Sequence, residues 1–451
     1  MTIQGFFYLY VLISTSVSLM SYKKGIYLIW VSFLFVPTII LEQKVGLNII
    51  LETALMLISV ISELRFVERR NIWKQFVSGN QKAILVYFFI SILIVFLSQT
   101  VPIETQLRTL LTEIAMLLFS LQTFLLVKTD ERSVSVLKRI VCCAIVFNVA
   151  YCVFFEMLVG INPAGMPLYI LLGVDDNQFI TDMIDSERGG LAFRAQTVFR
   201  HPLSLGQYML VLLPLFFLKG NQYLKFFFVF CIFFLIIVSG SRGAMAPMFL
   251  ILFIVGIKEF KSHLRIFVLV LFAIVVAISI IPEKQWIKIN KDLEPFVASL
   301  QFWDDKKQYE NKIDGSSMEM RFNQFDAALK EISDNPLFGR GYSYRDFYIY
   351  KHNALHPELL GFESVLLLHL VERGWIGLLF FFMMIYYIYK IFGNGLPDKT
   401  IFKYVFFSYL LSIVMTGIRP LTLLFVCLSC SIAYGMIKEE TDFNELKAEL
   451  A

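Results

Sequence analysis

A chain of 451 residues that is 57% hydrophobic and only 17% charged, with a mean hydropathy of +0.69, lies far outside the soluble globular range and reads as a polytopic membrane protein. Its formal net charge of +4 comes from basic residues spread along the chain rather than clustered, which argues against a nucleic-acid partner. The six cysteines (Cys142, Cys143, Cys152, Cys231, Cys427 and Cys430) fall inside apolar runs and read as small packing residues, not as a disulfide framework or a metal-thiolate centre.

The first residues, Met1 to Gly5, lack the basic region and cleavage site of a signal peptide, so the first apolar run is expected to stay as a span. A span needs about 20 apolar residues to cross a ~30 Å hydrocarbon core. On that criterion spans are predicted at 5–21, 25–41, 45–62, 83–100, 107–127, 140–160, 201–218, 223–239, 243–257, 266–281, 365–391, 401–417 and 420–437. That is about thirteen, within a range of 12–14. The chain then divides into N-terminal membrane helices (1–160), a first external loop (161–200), central helices (201–281), a large external loop (282–360), C-terminal helices (361–437) and a cytoplasmic tail (438–451).

Orientation follows from the short loops. Lys23 and Lys24, the run Arg65 to Lys74, the run Lys128 to Arg139, Lys219 and Lys225, Lys258 to Arg265, Lys399 and Lys403, and Lys438 fall on alternating sides, and the positive-inside rule makes those sides cytoplasmic. Both long loops then face outward. The first ends in Arg188, Arg194 and Arg200 and also carries an acidic cluster, Asp175, Asp176, Asp182 and Asp185, that reads as a solvated loop. Between two spans, Ser239-Gly240-Ser241-Arg242-Gly243 forms a tight connection that holds Arg242 in place. Three carboxylates, Glu52, Glu113 and Glu156, lie within spans, where an ionisable group marks either a pathway or a local ion pair with Lys44 or Arg108.

The large loop is the one polar stretch long enough to stand apart from the bilayer. It contains Trp303-Asp304-Asp305 and a predicted amphipathic helix over Ser317 to Ile332, with a capping box of Ser316 and Glu319 and an apolar stripe of Met318, Phe322, Phe325, Leu329 and Ile332. Arg321 falls on that stripe and needs an anionic partner, either a ligand or a local carboxylate such as Asp326 or Asp334. Asn335-Pro336 stops the helix, and Gly339-Arg340-Gly341-Tyr342 makes a turn where backbone N–H groups can approach a ligand.

The run from Arg321 through Asn335-Pro336-Leu337-Phe338-Gly339-Arg340-Gly341-Tyr342, then His352-Asn353, then Glu372-Arg373-Gly374-Trp375-Ile376-Gly377 entering a span, resembles the O-antigen polymerase and ligase superfamily. The turn at Ser239 to Gly243 fits the same pattern, as does Phe199-Arg200-His201-Pro202 leading into a span; together the likeness covers roughly residues 190–392. It implies an all-α polytopic membrane glycosyltransferase of GT-C type. Its polymerases join undecaprenyl-pyrophosphate-linked oligosaccharide repeat units on the periplasmic face of the bacterial inner membrane, and its ligases move the glycan onto lipid A core. No metal or cofactor is implied. A chain-length regulator and a flippase are expected partners beside the lipid bilayer.

In that scheme Arg242 and Arg321 stabilise the departing pyrophosphate, with Arg194, Arg200, His201, Arg340, Tyr342, Asn353 and His356 as further substrate contacts. The acceptor hydroxyl needs a base. His352 is the first choice, because an imidazole titrates near neutrality. The separation of His352 from Glu372, with His356, Glu363 and His369 between them, leaves Glu363, Glu372 and His356 as alternatives. Many spans and a large outer loop favour a polymerase over a ligase. A lipid-linked-sugar flippase is the reading from another class, and the absence of an internal repeat counts against it.

Overall fold

The computed structural model describes residues 3–45, 49–98, 100–165, 168, 194–218, 220–256, 318–353, 356, 358–359, 364–415 and 421–449. Within these the chain is helical, apart from one antiparallel pair of two-residue strands, β1 (Lys44–Val45) and β2 (Ile49–Ile50). Helices α1 (Ile3–Met20), α2 (Tyr22–Phe35) and the single turn α3 (Thr38–Leu41) precede β1, and α4 (Leu51–Glu63) follows β2. Pro37 lacks the N–H a continuing helix would use, so the predicted 25–41 span breaks into α2 and α3.

Three long helices come next: α5 (Val67–Leu97), α6 (Ile103–Thr129) and α7 (Glu131–Tyr151), the last continuing as a π-helical stretch over Cys152–Val159. In α5 the basic run expected to be a loop is helical and continuous with the 83–100 span, since Val67 to Gln81 contains no proline and a single glycine. Then come α8 (Pro202–Leu212), which tightens into a 3₁₀ turn at Leu213–Phe217, α9 (Gln222–Val238) and α10 (Arg242–Gly256). The remaining helices are α11 (Met318–Glu331), α12 (Tyr344–His352), α13 (Val365–Gly393), α14 (Thr400–Met415) and α15 (Leu421–Glu449). Among the described residues five helices are long and apolar enough to cross a membrane and five shorter ones are apolar, so the chain is an all-α, multi-pass membrane protein. The predicted 266–281 span lies outside the described residues.

Local chemistry sets several starts. His201 caps α8 by accepting the Leu203 N–H on Nδ1 (3.1 Å), and Pro202 sits at the first helical position. Asn221 caps α9 through the Tyr223 and Leu224 N–H groups.

The centre of the bundle is the first half of α15, apolar all round: Leu424, Phe425, Val426, Cys427, Leu428 and Cys430 are fully buried. Phe425 stacks on Tyr208 of α8 at 4.2 Å and meets Trp30 of α2 edge-on, and Trp30 also donates to Thr123 of α6 (3.0 Å). By contrast α5 turns Leu85, Phe89 and Phe96 outward, as a lipid-facing helix does.

Hydrogen bonds sort the helix ends into two groups. At one end Lys23 pairs with Asp130 (2.5 Å), Tyr27 donates to Ser133 (2.9 Å), and the buried Arg69 bonds Glu63 and Thr129. At the other, the Thr38 N–H donates to Val198 O (2.9 Å), Asn335 Nδ2 to Leu97 O (3.0 Å) and Ser98 Oγ to Phe338 O (2.8 Å).

Candidate functional site

The second of those ends carries the sequence-derived candidates that the structure describes, in two groups. The first is built from residues 194–206 and the turn between α9 and α10. Buried Arg194 lays its guanidinium across that turn, donating from Nε to Ser239 O (3.0 Å) and from Nη2 to Gly240 O (3.3 Å). The contact is so close that a Cβ on Gly240 would lie 2.9 Å from Arg194 Nε. Arg242 opens α10 two residues further on. The Ala195 N–H donates to Val238 O (2.9 Å), so two adjacent residues tie this segment to the turn. Arg200 pairs with Glu42 beside α3 (Nη1 to Oε2, 2.7 Å), and His201 serves as the α8 cap.

Beneath this segment, the carboxylate of Glu156 accepts three donors on Oε1: the N–H groups of Gln196 (3.1 Å) and Thr197 (2.9 Å), and Asn162 Nδ2 (2.8 Å). Thr197 is held at φ +52°, where a β-branched residue is strained, and its hydroxyl bonds Asn148 Oδ1 (2.5 Å). Glu156 thus supports the loop, and among the described residues it pairs with no lysine or arginine.

The second group joins the Asn335 to Tyr342 turn to a kink in α13. Gly374 departs from helical geometry (φ 63°, ψ −167°) and exposes backbone groups on both sides of the break. Four hydrogen bonds fill them: Arg340 N–H to Val371 O (2.8 Å), Gly341 N–H to Glu372 O (2.8 Å), Trp375 N–H to Pro336 O (3.0 Å) and Ile376 N–H to Leu337 O (3.1 Å). A Cβ on Gly339 would lie 2.5 Å from Val371 O, and one on Gly374 2.4 Å from Leu337 O, so both close approaches require glycine. The turn's glycines therefore meet another stretch of backbone, where the sequence had pointed to a ligand.

Around this interlock sits a buried polar cluster. Arg373 forms an ion pair with Glu113 of α6 and lies 4.4 Å from the Tyr342 ring centroid. Of the two readings left open for Glu113, an ion pair is the one seen, but not with Arg108, which bonds Glu104 four residues away. Burial, opposed by the Arg373 charge, pushes the Tyr342 phenol up to about 12. Glu372 is buried, and its carboxylate has no hydrogen-bond partner among the described residues. His369 is also buried, its ring 4.3 Å from Phe381.

Glu331, at the end of α11, organises the outer part. It accepts from the Tyr344 hydroxyl, lies 3.3 Å from Arg340 Nε and 3.5 Å from His356 Nε2, and Arg340 also pairs with Asp334 (3.0 Å). Burial, then Glu331 beside it, raises the Tyr344 phenol above its ordinary value. His356 Nδ1 accepts the Glu358 and Leu359 N–H groups (3.2 and 3.0 Å), which puts its proton on Nε2, aimed at Glu331. Arg340 and His356 are thereby tied to the loop's own carboxylates. His352 is exposed at the last residue of α12, its ring 4.3 Å from Tyr348, and Asn353 ends that helix in a left-handed conformation.

The predicted stripe of α11 holds at its C-terminal end, where Ile332 is buried and Leu329 packs beside it, and is displaced before that: Phe322 and Phe325 are 65% and 41% exposed, whereas Gln324 is buried and Ala327 and Ala328 pack with Leu370 and Val371 of α13. Small alanines let α11 come close to the kinked helix, and that packing outranks the larger phenylalanines. Arg321 is placed in the first turn of α11 by its backbone, and its side chain lies outside the described residues. Glu363, Ser316, Trp303, Asp304 and Asp305, Arg188 and the four aspartates of the first loop lie outside them too.

One backbone segment lies between the two groups. Ser412 O accepts from Gln207 of α8 (3.4 Å), and the next carbonyl, Ile413 O, accepts from Ser364 at the head of α13 (3.1 Å). The residues missed from sequence are Arg373, Thr197, Asn148, Asn162 and Gln106, whose Oε1 accepts the Tyr342 N–H (3.2 Å); each has at least one partner well separated along the chain. The signal that could have found Arg373 is a guanidinium entering an apolar run, which requires a buried partner.

The family model described as O-Antigen ligase matches residues 227–382. This stretch holds Arg242, Arg321, Arg340, His352, His356 and Glu372, and leaves Arg194 and Arg200 outside it. The match supports the O-antigen polymerase and ligase superfamily and indicates a glycosyltransferase-like enzyme. No curated protein matches the chain, and no solved structure does.

Proposed function

We propose that the chain is a metal-independent GT-C-type glycosyltransferase that lengthens surface polysaccharide such as O-antigen, using an undecaprenyl-pyrophosphate-linked oligosaccharide as donor on the periplasmic face of the bacterial inner membrane. The observation that carries this reading is the match over residues 227–382, taken with guanidinium groups fixed at one end of the helix bundle. In the reaction an acceptor sugar hydroxyl gives its proton to His352 while its oxygen bonds the anomeric carbon. The anomeric C–O bond breaks, and its electron pair leaves on the lipid pyrophosphate. Arg242 and Arg321 receive that charge, with Arg194 and Arg200 beside them, since arginine offers permanent charge and bidentate donors where no divalent ion is used. The polyprenyl tail stays between spans, with its pyrophosphate at headgroup depth. A chain-length regulator and a flippase act with the enzyme.

The matched family is that of O-antigen ligases, which favours a second reading, a ligase that moves the glycan onto lipid A core. Both reactions share the donor and differ in the acceptor. Purified protein in proteoliposomes, given labelled lipid-pyrophosphate repeat units, produces longer glycan on its own if it is a polymerase. If it is a ligase, it makes product only when lipid A core is added. Label that crosses the bilayer with no new glycosidic bond formed identifies a flippase and refutes both.

A further inference from the structure

The carboxylate of Glu156 lies outside the matched stretch and is too deeply buried to meet a substrate. It is presented by the π-helical stretch Cys152–Val159, a wider coil that costs helix stability and occurs mostly where a side chain must be re-aimed. Its Oε1 accepts from two consecutive backbone N–H groups and from Asn162, whose Nδ2 also reaches Thr197 O (3.0 Å). Asn162 is itself fixed, because its Oδ1 accepts from Tyr151 (2.7 Å). Thr197 sits between these bonds in a backbone region that costs on the order of 1–3 kcal/mol. The three hydrogen bonds to this carboxylate are what offset that strain.

The two ends of the held segment are arginines. On one side Arg194 and Ala195 tie to Ser239, Gly240 and Val238, the residues that lead directly into Arg242; on the other Arg200 reaches Glu42. Glu156 thus holds the backbone at Gln196 and Thr197, and the covalently adjoining Arg194 and Ala195 carry that anchor by their own hydrogen bonds to the turn that presents Arg242.

We propose that Glu156 is a positioning residue, which fixes the 194–200 segment and through it the placement of Arg242 for pyrophosphate departure. The assignment rests on the reading under Proposed function, because it presumes that Arg242 receives that charge.

The test is a double-mutant cycle on the full chain in proteoliposomes, with glycan extension at saturating acceptor as the rate. Arg242→Ala is expected to lower kcat by on the order of 10²- to 10³-fold, as loss of a transition-state donor does. Glu156→Ala is expected to lower kcat by about 10- to 100-fold, the scale of an ångström of misplacement, with acceptor KM unchanged. Glu156→Gln keeps an oxygen for the same N–H groups and is expected to stay within about threefold of the unmodified protein. The double variant Glu156→Ala/Arg242→Ala is expected to match Arg242→Ala alone, because a residue that acts through Arg242 has nothing left to position. Multiplying losses, or wild-type kcat in Glu156→Ala while Arg242→Ala is impaired, overturns the positioning role and leaves the proposed reaction intact. Wild-type kcat in Arg242→Ala overturns the reaction scheme, and the positioning role with it. If Glu156→Ala does not accumulate, Asn162→Ala removes one donor from Glu156 and enters the same cycle, with about a 3- to 10-fold loss expected and the same non-additivity required.

Discussion

Glu113 and Arg373 are the clearest case of a charge whose meaning depends on a partner far along the chain. Each alone inside a bilayer is costly, and together they form a buried pair under the Tyr342 ring. Removing one partner strands the other, so Glu113→Ala is expected to destabilise the protein by about 3–5 kcal/mol. The partly exposed pair of Arg108 and Glu104 is worth about 0–1 kcal/mol, and Arg108→Ala should barely move the melting temperature in detergent. Equal effects from the two variants would contradict the assignment. Sequence made Glu113 visible as an ion-pair candidate and offered the wrong cation, because proximity along a helix is legible and a contact 260 residues away is not. Arg242 and His352 stood out through the motifs around them. Thr197 did not, since nothing in its side chain announces a left-handed backbone.

Elements were legible where one rule governs them. Apolar length marked the main spans, Asn335-Pro336 ended α11 near the expected place, and Ser239 to Gly243 was a turn between two helices. Register was less legible: the buried face of α11 follows Ala327 and Ala328 because the kinked helix demands close approach. The glycines of the Asn335 to Tyr342 turn likewise belong to a docking of backbone on backbone. Gly374→Ala places a side chain against Leu337 O and forces a conformation that alanine disfavours, so the turn should detach. Limited proteolysis near Gly339 should speed up at least tenfold, whereas an unchanged rate would show that the four backbone bonds do not hold the turn. The same docking has a pH signature. Burial raises the Tyr342 phenol from about 10 in the unfolded chain to about 12. Its contribution to stability is complete below about pH 10 and is lost as pH rises through about 12. Tyr342→Phe should flatten that alkaline loss in a chemical-denaturation series, and an identical slope in both proteins would refute it.

At the scale of the whole molecule, alternate helix ends collect on opposite faces. Lys23, Arg69 and Asp130 mark one face, and Arg194, Arg200, Arg340 and His352 the other. Basic residues crowd the first face, so single cysteines at Lys24 and Arg70 should be shielded from a membrane-impermeant maleimide in intact cells, while one at His352 should react. Labelling of all three from one side would break the topology on which the reaction scheme depends. The separation into two faces was legible from charge and length; that residues 38–42 join 194–206, and residues 97–98 and 100–106 join 335–342 and 371–376, came only with the fold.

In the proposed reaction arginines, Arg242 foremost, do the work a divalent ion does elsewhere, and one assay decides between the two. Proteoliposomes holding the full chain are given lipid-pyrophosphate repeat units in excess EDTA, and glycosidic bonds formed are counted against polyprenyl pyrophosphate released. One pyrophosphate per bond is expected, undiminished by EDTA, with a loss on the order of 10²- to 10³-fold in Arg242→Ala. Activity that vanishes in EDTA and returns with magnesium, or that survives in Arg242→Ala, would contradict it.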